Sequence, residues 1–285
     1  MNNKELKEKL EHYKEIFDSK ERALNYLVDE VIVSFDNEIY NLFRNYVFIN
    51  NSGFVSLSFL GFYNWCFKTK QDFVKTALEY IEINKPYNEM RAKGLINASN
   101  KGRGVFGEDF QLDEMYFCEF YKIPRFGKTR VGQLLLHSKQ TQNEKYINYI
   151  CEEFKDRLIS FLNGYDSVCF VPPSTPRQIQ FMDILNQAIG GDKPRIVAEK
   201  KFIDIAIQQK TLKHRLDRIE NARETIFINS DKTYNSCLII DDAIGSGSTL
   251  NEIARKLRDQ KIVTGKIVGV GIVGNLDGFD VLNEV

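Results

Sequence analysis

The segment from residue 237 to residue 249, with the sequence CLIIDDAIGSGST, constrains the fold more than any other part of the chain. Four apolar residues indicate a buried strand, and Asp241 and Asp242 follow them directly. A Gly/Ser loop comes next, and Thr249 begins a predicted helix that ends at Gln260. Ligands of open α/β proteins bind at the carboxyl ends of parallel strands, where loop and helix N–H groups hold phosphates. The segment therefore predicts an α/β protein with an anion site.

The two acids restrict the kind of ligand further. Neighbouring hydroxyls, as on a ribose, are suitable donors to Asp241 and Asp242, so a sugar phosphate satisfies both halves of the segment. The spacing excludes a Walker loop, because no Lys follows a Gly as that loop requires, and it excludes the three-glycine dinucleotide fingerprint. The alternative is an ordinary strand–loop–helix connection in which Ser248 caps the helix.

The segment resembles the phosphoribosyl-pyrophosphate (PRPP) motif of type I phosphoribosyltransferases. That motif has four apolar residues, two acids, and a short loop of Ser/Thr and Gly; here Gly245 stands where the family usually has a bulkier residue. The resemblance implies that Asp241 and Asp242 accept hydrogen bonds from the ribose hydroxyls. It also implies that the 5-phosphate is bound by four loop residues, which are Ser246, Gly247, Ser248 and Thr249.

A second anion loop is predicted after the strand Ser167–Val171. Two prolines stiffen the turn, and they are followed by Ser174, Thr175 and Arg177 at the start of a predicted helix that runs to Ile189. This stretch resembles the pyrophosphate loop of the ComF-like subgroup of phosphoribosyltransferases, in which a strand ends in Val-Pro and an Arg follows. The alternative is a rigid loop with a hydroxyl cap.

The stretch from residue 208 to residue 223 is rich in basic side chains. By itself it reads as a solvated amphipathic helix. In ComF-like proteins a similar order of Gln, Leu, Arg, Asn and Phe lies between the two phosphate loops, in a hood that closes over the site. That resemblance implies that Lys210, Lys213, Arg215 and Arg218 neutralise pyrophosphate, whereas His214 is better explained as a surface residue than as a proton-transfer group.

Hydrophobic periodicity divides the chain into a mainly helical region, residues 1–110, and a region of alternating strands and helices, residues 111–285. The resemblance implies that the second region is a phosphoribosyltransferase-like domain. The domain is predicted to be a Rossmann-like parallel sheet flanked by helices, because strands and helices alternate along it. In the first region we predict a helix over 71–83 that ends at Pro86, and a loop over 101–107. In the second we predict strands over 131–136, 167–171, 196–198, 236–240 and 266–273, and a helix over 144–162.

Composition excludes several classes of protein. Lys plus Arg and Asp plus Glu number 39 each, so no net charge drives binding to nucleic acid or to an anionic membrane. The five cysteines are scattered without a C-x-x-C pair, which disfavours a zinc cluster or a disulfide framework and fits a reducing compartment. We find no leader-like segment and no apolar run of transmembrane length, and we expect a cytoplasmic protein.

These patterns predict a protein that binds PRPP or a ribose 5-phosphate nucleotide and transfers or hydrolyses the phosphoribosyl group. Mg²⁺ would be bound mainly through the substrate pyrophosphate, and no dedicated protein metal site is expected. Two alternatives are a non-catalytic sensor of PRPP or nucleotide, and a partner-dependent component of a DNA-uptake or mobile-element defence system. A homodimer, and a protein or nucleic-acid partner bound through residues 1–110, also remain open; no membrane partner is expected. The aromatic residues between Phe54 and Phe67 are better explained by core packing than by base stacking.

Overall fold

The computed structural model describes residues 8, 12, 47–49, 55–57, 62, 65–200 and 222–276. The chain forms two compact units. The first lies within Met1–Glu89 and Ile123–Gln133, and the second within Met90–Lys122 and Leu134–Val285.

The second unit is built around a five-stranded sheet. The strands of this unit are β3 (Ile96–Asn97), β4 (Glu114–Phe120), β7 (Ser167–Phe170), β8 (Val197–Lys200), β9 (Ile226–Asn229), β10 (Cys237–Ile244) and β11 (Ile267–Gly274). The sheet has the strand order β3-β4-β11-β10-β7. Pairings of β4 with β11, β11 with β10 and β10 with β7 are parallel, and within this sheet only β3 runs antiparallel to its neighbour. An antiparallel ribbon of β8 and β9 lies beyond β7 in the chain.

The other described elements are helices and short strands. The helices are α1 (Phe73–Ala92), α2 (Ser99–Phe106), α3 (Arg130–Thr141), α4 (Glu144–Leu162), α5 (Phe181–Ile189) and α6 (Ser248–Asp259), with a 3₁₀ turn at Gly107–Asp109. The short strands are β1 (Val47–Ile49), β2 (Val55–Leu57), β5 (Lys122–Ile123) and β6 (Gly127–Lys128). The structure confirms the α/β class, with a mostly parallel sheet flanked by helices.

The unequal lengths of β7 and β10 create an open space at the carboxyl edge of the sheet. The last residue pair between the two strands is Phe170 with Ile240, and the N–H of Val171 donates the final hydrogen bond to the Ile240 carbonyl at 2.9 Å. Pro172 and Pro173 follow, and neither carries an N–H that could extend the ladder. Asp241 and Asp242 therefore lie on β10 beyond the end of β7.

On its other side, β10 is supported along almost its whole length by β11. Every residue of β11 is buried, and Asp241 pairs with Gly271 in the parallel register. A Cβ atom at Gly271 would lie 2.6 Å from Cγ1 of Ile244 and 3.2 Å from the Val273 carbonyl oxygen. Glycine at this position thus allows the carboxyl end of β10 to pack closely on β11 beside the acid pair.

Three sequence-based assignments of secondary structure are wrong. Residues 131–136 were expected to form a strand but belong to α3, where Val131, Leu134, Leu135 and Ser138 are buried at the 3–4-residue spacing of one helix face. Residues 101–106 lie in α2 and Gly107 begins the 3₁₀ turn, so no loop forms there. The Phe110 ring packs against Gly102, where a Cβ would lie 2.3 Å from the ring. Helix α1 does not end before Pro86 but continues through it to Ala92.

Other assignments are confirmed with shifted boundaries. The helix expected to start near Arg177 begins only at Phe181, which leaves the residues before it in a loop. The strand expected over 236–240 continues to Ile244, and this extension places both acids within β10 rather than after it. The helix over 144–162 has the predicted bounds; the Asn143 side chain caps it by accepting a hydrogen bond from the N–H of Lys145.

The predicted helical character of residues 1–110 falls largely outside the described residues; the described part contains α1 and α2 as well as short strands. The boundary near residue 110 stays a prediction. All five cysteines are free and buried, as expected for Cys169 and Cys237. Within the described ranges, no helix has the length and apolar character needed to cross a membrane.

We expect Gly271→Ala to lower the free energy of unfolding by about 1–3 kcal/mol, because the added methyl group overlaps Ile244 and the backbone in a closely packed sheet. Urea denaturation of the purified protein measures this change. The matched control is Gly104→Ala within α2, where nothing lies within 4 Å of the new Cβ. This control should stabilise the helix by roughly 0.5–1 kcal/mol. Equal effects of the two substitutions would contradict the packing argument.

Candidate functional site

A cleft at the carboxyl edge of the sheet brings together most of the residues that the sequence singled out. Asp241 and Asp242 line it from β10, and the loop that leads into α6 lines it with Ser246, Gly247, Ser248 and Thr249. From the far side, the loop after β7 contributes Ser174 and Arg177. Two segments that are distant in sequence therefore meet in one cleft, as the order of the parallel strands requires.

The loop between β10 and α6 has the geometry of an anion cradle. Gly247 has a left-handed backbone (φ 80°) and, as the N-cap residue of α6, has no side chain that could cap the helix. The buried hydroxyls of Ser246 and Ser248 lie 2.9 Å apart and form a hydrogen bond, and the Ser248 N–H donates to Ser246 Oγ at 3.3 Å. The N-terminal end of a helix carries partial positive charge and N–H groups that point toward a ligand.

The start of α6 is fixed by a buried asparagine. The N–H of Asn251 donates to the Gly247 carbonyl at 2.9 Å, and its side-chain Oδ1 accepts from the N–H of Gln111 at 2.7 Å. Its Nδ2 donates to the Asp109 carbonyl at 2.9 Å. These bonds hold the loop in one conformation before any ligand binds, which reduces the entropy cost of binding.

Asp241 is a partly buried acid in an unfavourable environment for its charge. Its Oδ1 accepts a hydrogen bond from the N–H of Asp242 at 2.8 Å, and the N–H of Ala243 supports it as well. Burial, and next the negative charge of Asp242, raise the pKa of Asp241 from 3.8 to about 7, although Lys139 and the two N–H groups act against this rise.

Asp242 is held by a lysine that the sequence analysis did not select. Lys139 Nζ, near the end of α3, lies 2.7 Å from Asp242 Oδ2, and the two side chains are 11% and 13% exposed. So far from solvent, removing either partner leaves the other charge unpaired at a large cost, so each partner depends on the other. The signal in the sequence was missed because residues 131–136 were assigned to a strand, which hid the position of Lys139 on a helix.

A second lysine, Lys200 at the end of β8, lines the same cleft. Burial lowers the pKa of Lys200, and the negative charge of Asp241 partly offsets that effect. Its position follows from the pairing of β8 with β9, in which Lys200 lies opposite Ile226, a further lining residue. The described lining thus carries three cations (Lys139, Arg177 and Lys200) and two carboxylates, and this excess of positive charge favours an anionic ligand.

The loop between β7 and α5 is braced by two glutamines. Gln142 Oε1 accepts from the N–H groups of Gln178 at 2.8 Å and Ile179 at 3.2 Å. Gln180 Nε2 donates to the carbonyls of Thr175 at 3.1 Å and Arg177 at 3.4 Å. Ser174 and Arg177 consequently face the cleft from a fixed loop. Thr175 belongs to the same loop, although it is not among the described residues that line the cleft.

Three predicted site residues, Lys210, Arg215 and Arg218, lie outside the described residues, as do Lys213 and His214. Their proposed part in neutralising pyrophosphate stays a prediction.

The chemistry of the described residues restricts what the cleft can do. Burial raises the pKa of Cys237 to about 12 and that of Cys169 well above its ordinary value, so neither of these thiols within the sheet is a thiolate nucleophile at neutral pH. Among residues 65–200 and 222–276, no three His, Cys, Asp or Glu side chains are grouped so as to hold a metal ion. The acid pair alone supplies hard oxygen ligands, which suit Mg²⁺ only together with oxygens from a ligand.

We compared the chain with known families and structures. No protein-family model and no curated protein matches it. Among solved structures, it is similar to a hypoxanthine phosphoribosyltransferase from Staphylococcus aureus, with 19% sequence identity and a TM-score of 0.27. The similarity covers 44% of this chain and 60% of that chain, which is less than two thirds of its length. We therefore derive the function from the residues of the cleft.

We expect Asp241→Asn to stabilise the ligand-free protein, and to do so more at about pH 8 than at about pH 5. The raised pKa of Asp241 means that the folded protein binds more protons than the unfolded chain, so wild-type stability falls as pH rises toward about 7. Asparagine does not titrate, and the advantage of the variant should grow by about 1–3 kcal/mol over this range.

Denaturation curves at both pH values measure this difference. The exposed carboxylate of Asp156 on α4 provides the control, because Asp156→Asn should change stability by less than about 0.5 kcal/mol at either pH. If the effect of Asp241→Asn were the same at both pH values, Asp241 would not have a raised pKa in the folded protein.

Proposed function

We propose that the cleft binds the 5-phosphoribosyl group of PRPP or of a ribose 5-phosphate nucleotide. The observation that carries the proposal is the meeting, in one cleft, of the acid pair on β10, the Ser246–Thr249 cradle and the basic loop after β7. A ligand with two neighbouring hydroxyls between two phosphate groups matches this sequence of acceptors and donors. The spacing of these residues, which resembles the PRPP motif of type I phosphoribosyltransferases, supports the same ligand class.

Each part of the cleft has one role in this proposal. The N–H groups at the start of α6, with the hydroxyls of Ser246, Ser248 and Thr249, bind the 5-phosphate. Asp241 and Asp242 accept hydrogen bonds from the ribose 2- and 3-hydroxyls. The loop with Ser174, Thr175 and Arg177, together with Lys200, faces the pyrophosphate. Arg177 is suited to that role because its guanidinium donates two parallel hydrogen bonds to a phosphate.

The reaction that fits this arrangement is displacement at the anomeric carbon. The bond from C1 to the pyrophosphate oxygen breaks, its electron pair leaves with pyrophosphate, and C1 bonds to a nitrogenous base or to water, which loses a proton. Positive charge grows on the ring in the transition state, and the carboxylates of the acid pair lie where they stabilise it. The chemistry that Mg²⁺ supplies, when it is bound with the pyrophosphate, is neutralisation of the leaving group.

The resemblance to the ComF-like subgroup rests on the Val-Pro turn and Arg177 after β7, and on the order of Gln, Leu, Arg, Asn and Phe between the two loops. It favours a role for the protein in handling nucleotides or nucleic acid, but it does not choose between a transferase and a sensor. A homodimer, and a partner bound by residues 1–110, remain open within this proposal.

We expect PRPP with Mg²⁺ to raise the melting temperature of the protein, because a ligand at a hundred times its dissociation constant stabilises by about 2.7 kcal/mol. The variant Asp241→Asn/Asp242→Asn should lose this shift, since each amide has no negative charge and carries an NH₂ donor in place of one carboxylate oxygen that accepts from a hydroxyl. The control Asp156→Asn should keep it. A wild-type protein that shows no shift, while a control phosphoribosyltransferase responds in the same assay, would overturn the proposal.

Turnover distinguishes an enzyme from a sensor. We expect the protein to release pyrophosphate from PRPP in the presence of a nitrogenous base, or more slowly with water, and phosphorus NMR follows both reactant and product directly. The variant Asp241→Asn/Asp242→Asn should release none above background. Binding of PRPP without release of pyrophosphate under any acceptor would identify a non-catalytic binding protein, and a protein or nucleic acid that is required for turnover would identify a partner-dependent component.

A further inference from the structure

One acid of the cleft, Asp242, forms an ion pair with Lys139. From the ion pair between Lys139 and Asp242, we infer that Lys139 is a positioning residue that serves as the permanent counter-ion of the sugar-binding acids, so that the ribose end of the ligand binds without a divalent metal. The inference rests on the function proposed above and extends it, because it separates the metal requirement of the sugar from that of the pyrophosphate.

The geometry of the pair indicates a built feature rather than a chance surface contact. Lys139 comes from α3 and Asp242 from β10, so their 2.7 Å separation depends on tertiary packing and not on neighbouring positions in sequence. Both side chains are close to nine-tenths buried, which excludes most of the water that would screen the two charges. The ammonium also lies near enough to Asp241 to act on its charge. One lysine therefore balances both acids.

The ion pair leaves room for a ligand to bind the same acids. A carboxylate has about four lone-pair positions, and Lys139 approaches only Oδ2 of Asp242. Asp241 uses Oδ1 to accept the N–H of Asp242. Each acid consequently keeps acceptor capacity for a hydroxyl. An ammonium has three N–H donors, and Lys139 can hold Asp242 and still donate to a hydroxyl oxygen of the ligand.

A divalent cation on the same acids would compete with this lysine. Mg²⁺ demands about six oxygen ligands in near-octahedral geometry at roughly 2.0–2.1 Å, and the ammonium already occupies one side of Asp242. Mg²⁺ bound there would lie close to the Lys139 ammonium, and the two cations repel each other strongly in a poorly screened site. The pyrophosphate end differs, because its own oxygens provide the ligands that Mg²⁺ prefers. Lys139 thus neutralises the acids that bind the sugar, and the pyrophosphate provides the oxygens that bind the metal.

A purely structural ion pair makes a different prediction. If Lys139 only stabilised the fold, its removal would lower the melting temperature but would leave the metal dependence of ligand binding unchanged. If Lys139 is the counter-ion, its removal exposes the negative charge of Asp242, and binding at the sugar end then gains a requirement for Mg²⁺. The gain of metal dependence separates the two roles.

The experiment measures the affinity of ribose 5-phosphate, which lacks the pyrophosphate, by isothermal titration calorimetry in EDTA and in saturating Mg²⁺. Wild-type protein should bind it equally in both buffers, within about twofold. Lys139→Met keeps the length of the side chain and removes the charge; it should bind at least about tenfold more weakly in EDTA and regain affinity in Mg²⁺. Lys139→Arg keeps a cation beside Asp242 and should stay metal-independent.

The control variant is Lys155→Met on α4, where Lys155 forms an exposed ion pair with Glu152 at 3.4 Å. It should behave as wild type in both buffers. A wild-type protein that needs Mg²⁺ to bind ribose 5-phosphate would overturn the inference, and so would a folded Lys139→Met that binds equally well with and without metal. If Lys139→Met does not fold, the wild-type and Lys139→Arg measurements decide, because a metal requirement in either contradicts the inference.

Failure of the inference is distinguishable from failure of the proposed function. Binding of PRPP in Mg²⁺ is measured in the same titrations. A protein that binds neither PRPP nor ribose 5-phosphate in any buffer overturns the proposed function and, with it, the role of Lys139. A protein that binds PRPP, but binds ribose 5-phosphate only when Mg²⁺ is present, retains the proposed function and overturns the inference alone.

Discussion

The parallel pairing of β10 with two unequal neighbours is the constraint on which the site depends. On one side, β11 supports β10 as far as Ile244, and Gly271 allows close packing beside Asp241. On the other side, Pro172 and Pro173 end the ladder of β7 early, so the acid-bearing end of β10 has no β7 neighbour. A strand that is rigidly held on one edge and open on the other presents fixed carboxylates to a cleft.

Electrostatics in the cleft follow from this burial. Two adjacent carboxylates beside a sheet edge repel each other, and the structure accommodates them by raising the pKa of Asp241 and by pairing Asp242 with Lys139. Lys200 and Arg177 add positive charge to the lining of the same cleft. The cleft therefore combines acceptors for hydroxyls with an excess of positive charge for phosphates, which is the combination that a phosphorylated sugar requires.

Much of the architecture was accessible from periodicity, and the errors have specific physical causes. Helix α3 was assigned to a strand because a short apolar run satisfies both periods, and only its burial at 3–4-residue spacing decides between them. Helix α2 was assigned to a loop because glycines usually interrupt helices, but at Gly102 the missing side chain makes room for the Phe110 ring. The wrong assignment of α3 also concealed Lys139, so an error in local structure became an omission in the site.

The sequence alone determined the strand, acids, loop and helix around Asp241 and Asp242, because their order is covalent and each element is formed by local preferences. It also indicated the Pro-stiffened loop with Ser174 and Arg177. Only the tertiary structure decided which distant cations meet the acids, since Lys139 and Lys200 reach the cleft through the packing of α3 and the pairing of β8 with β9. Such contacts depend on strand order and register, which have no signature in any one stretch of the chain.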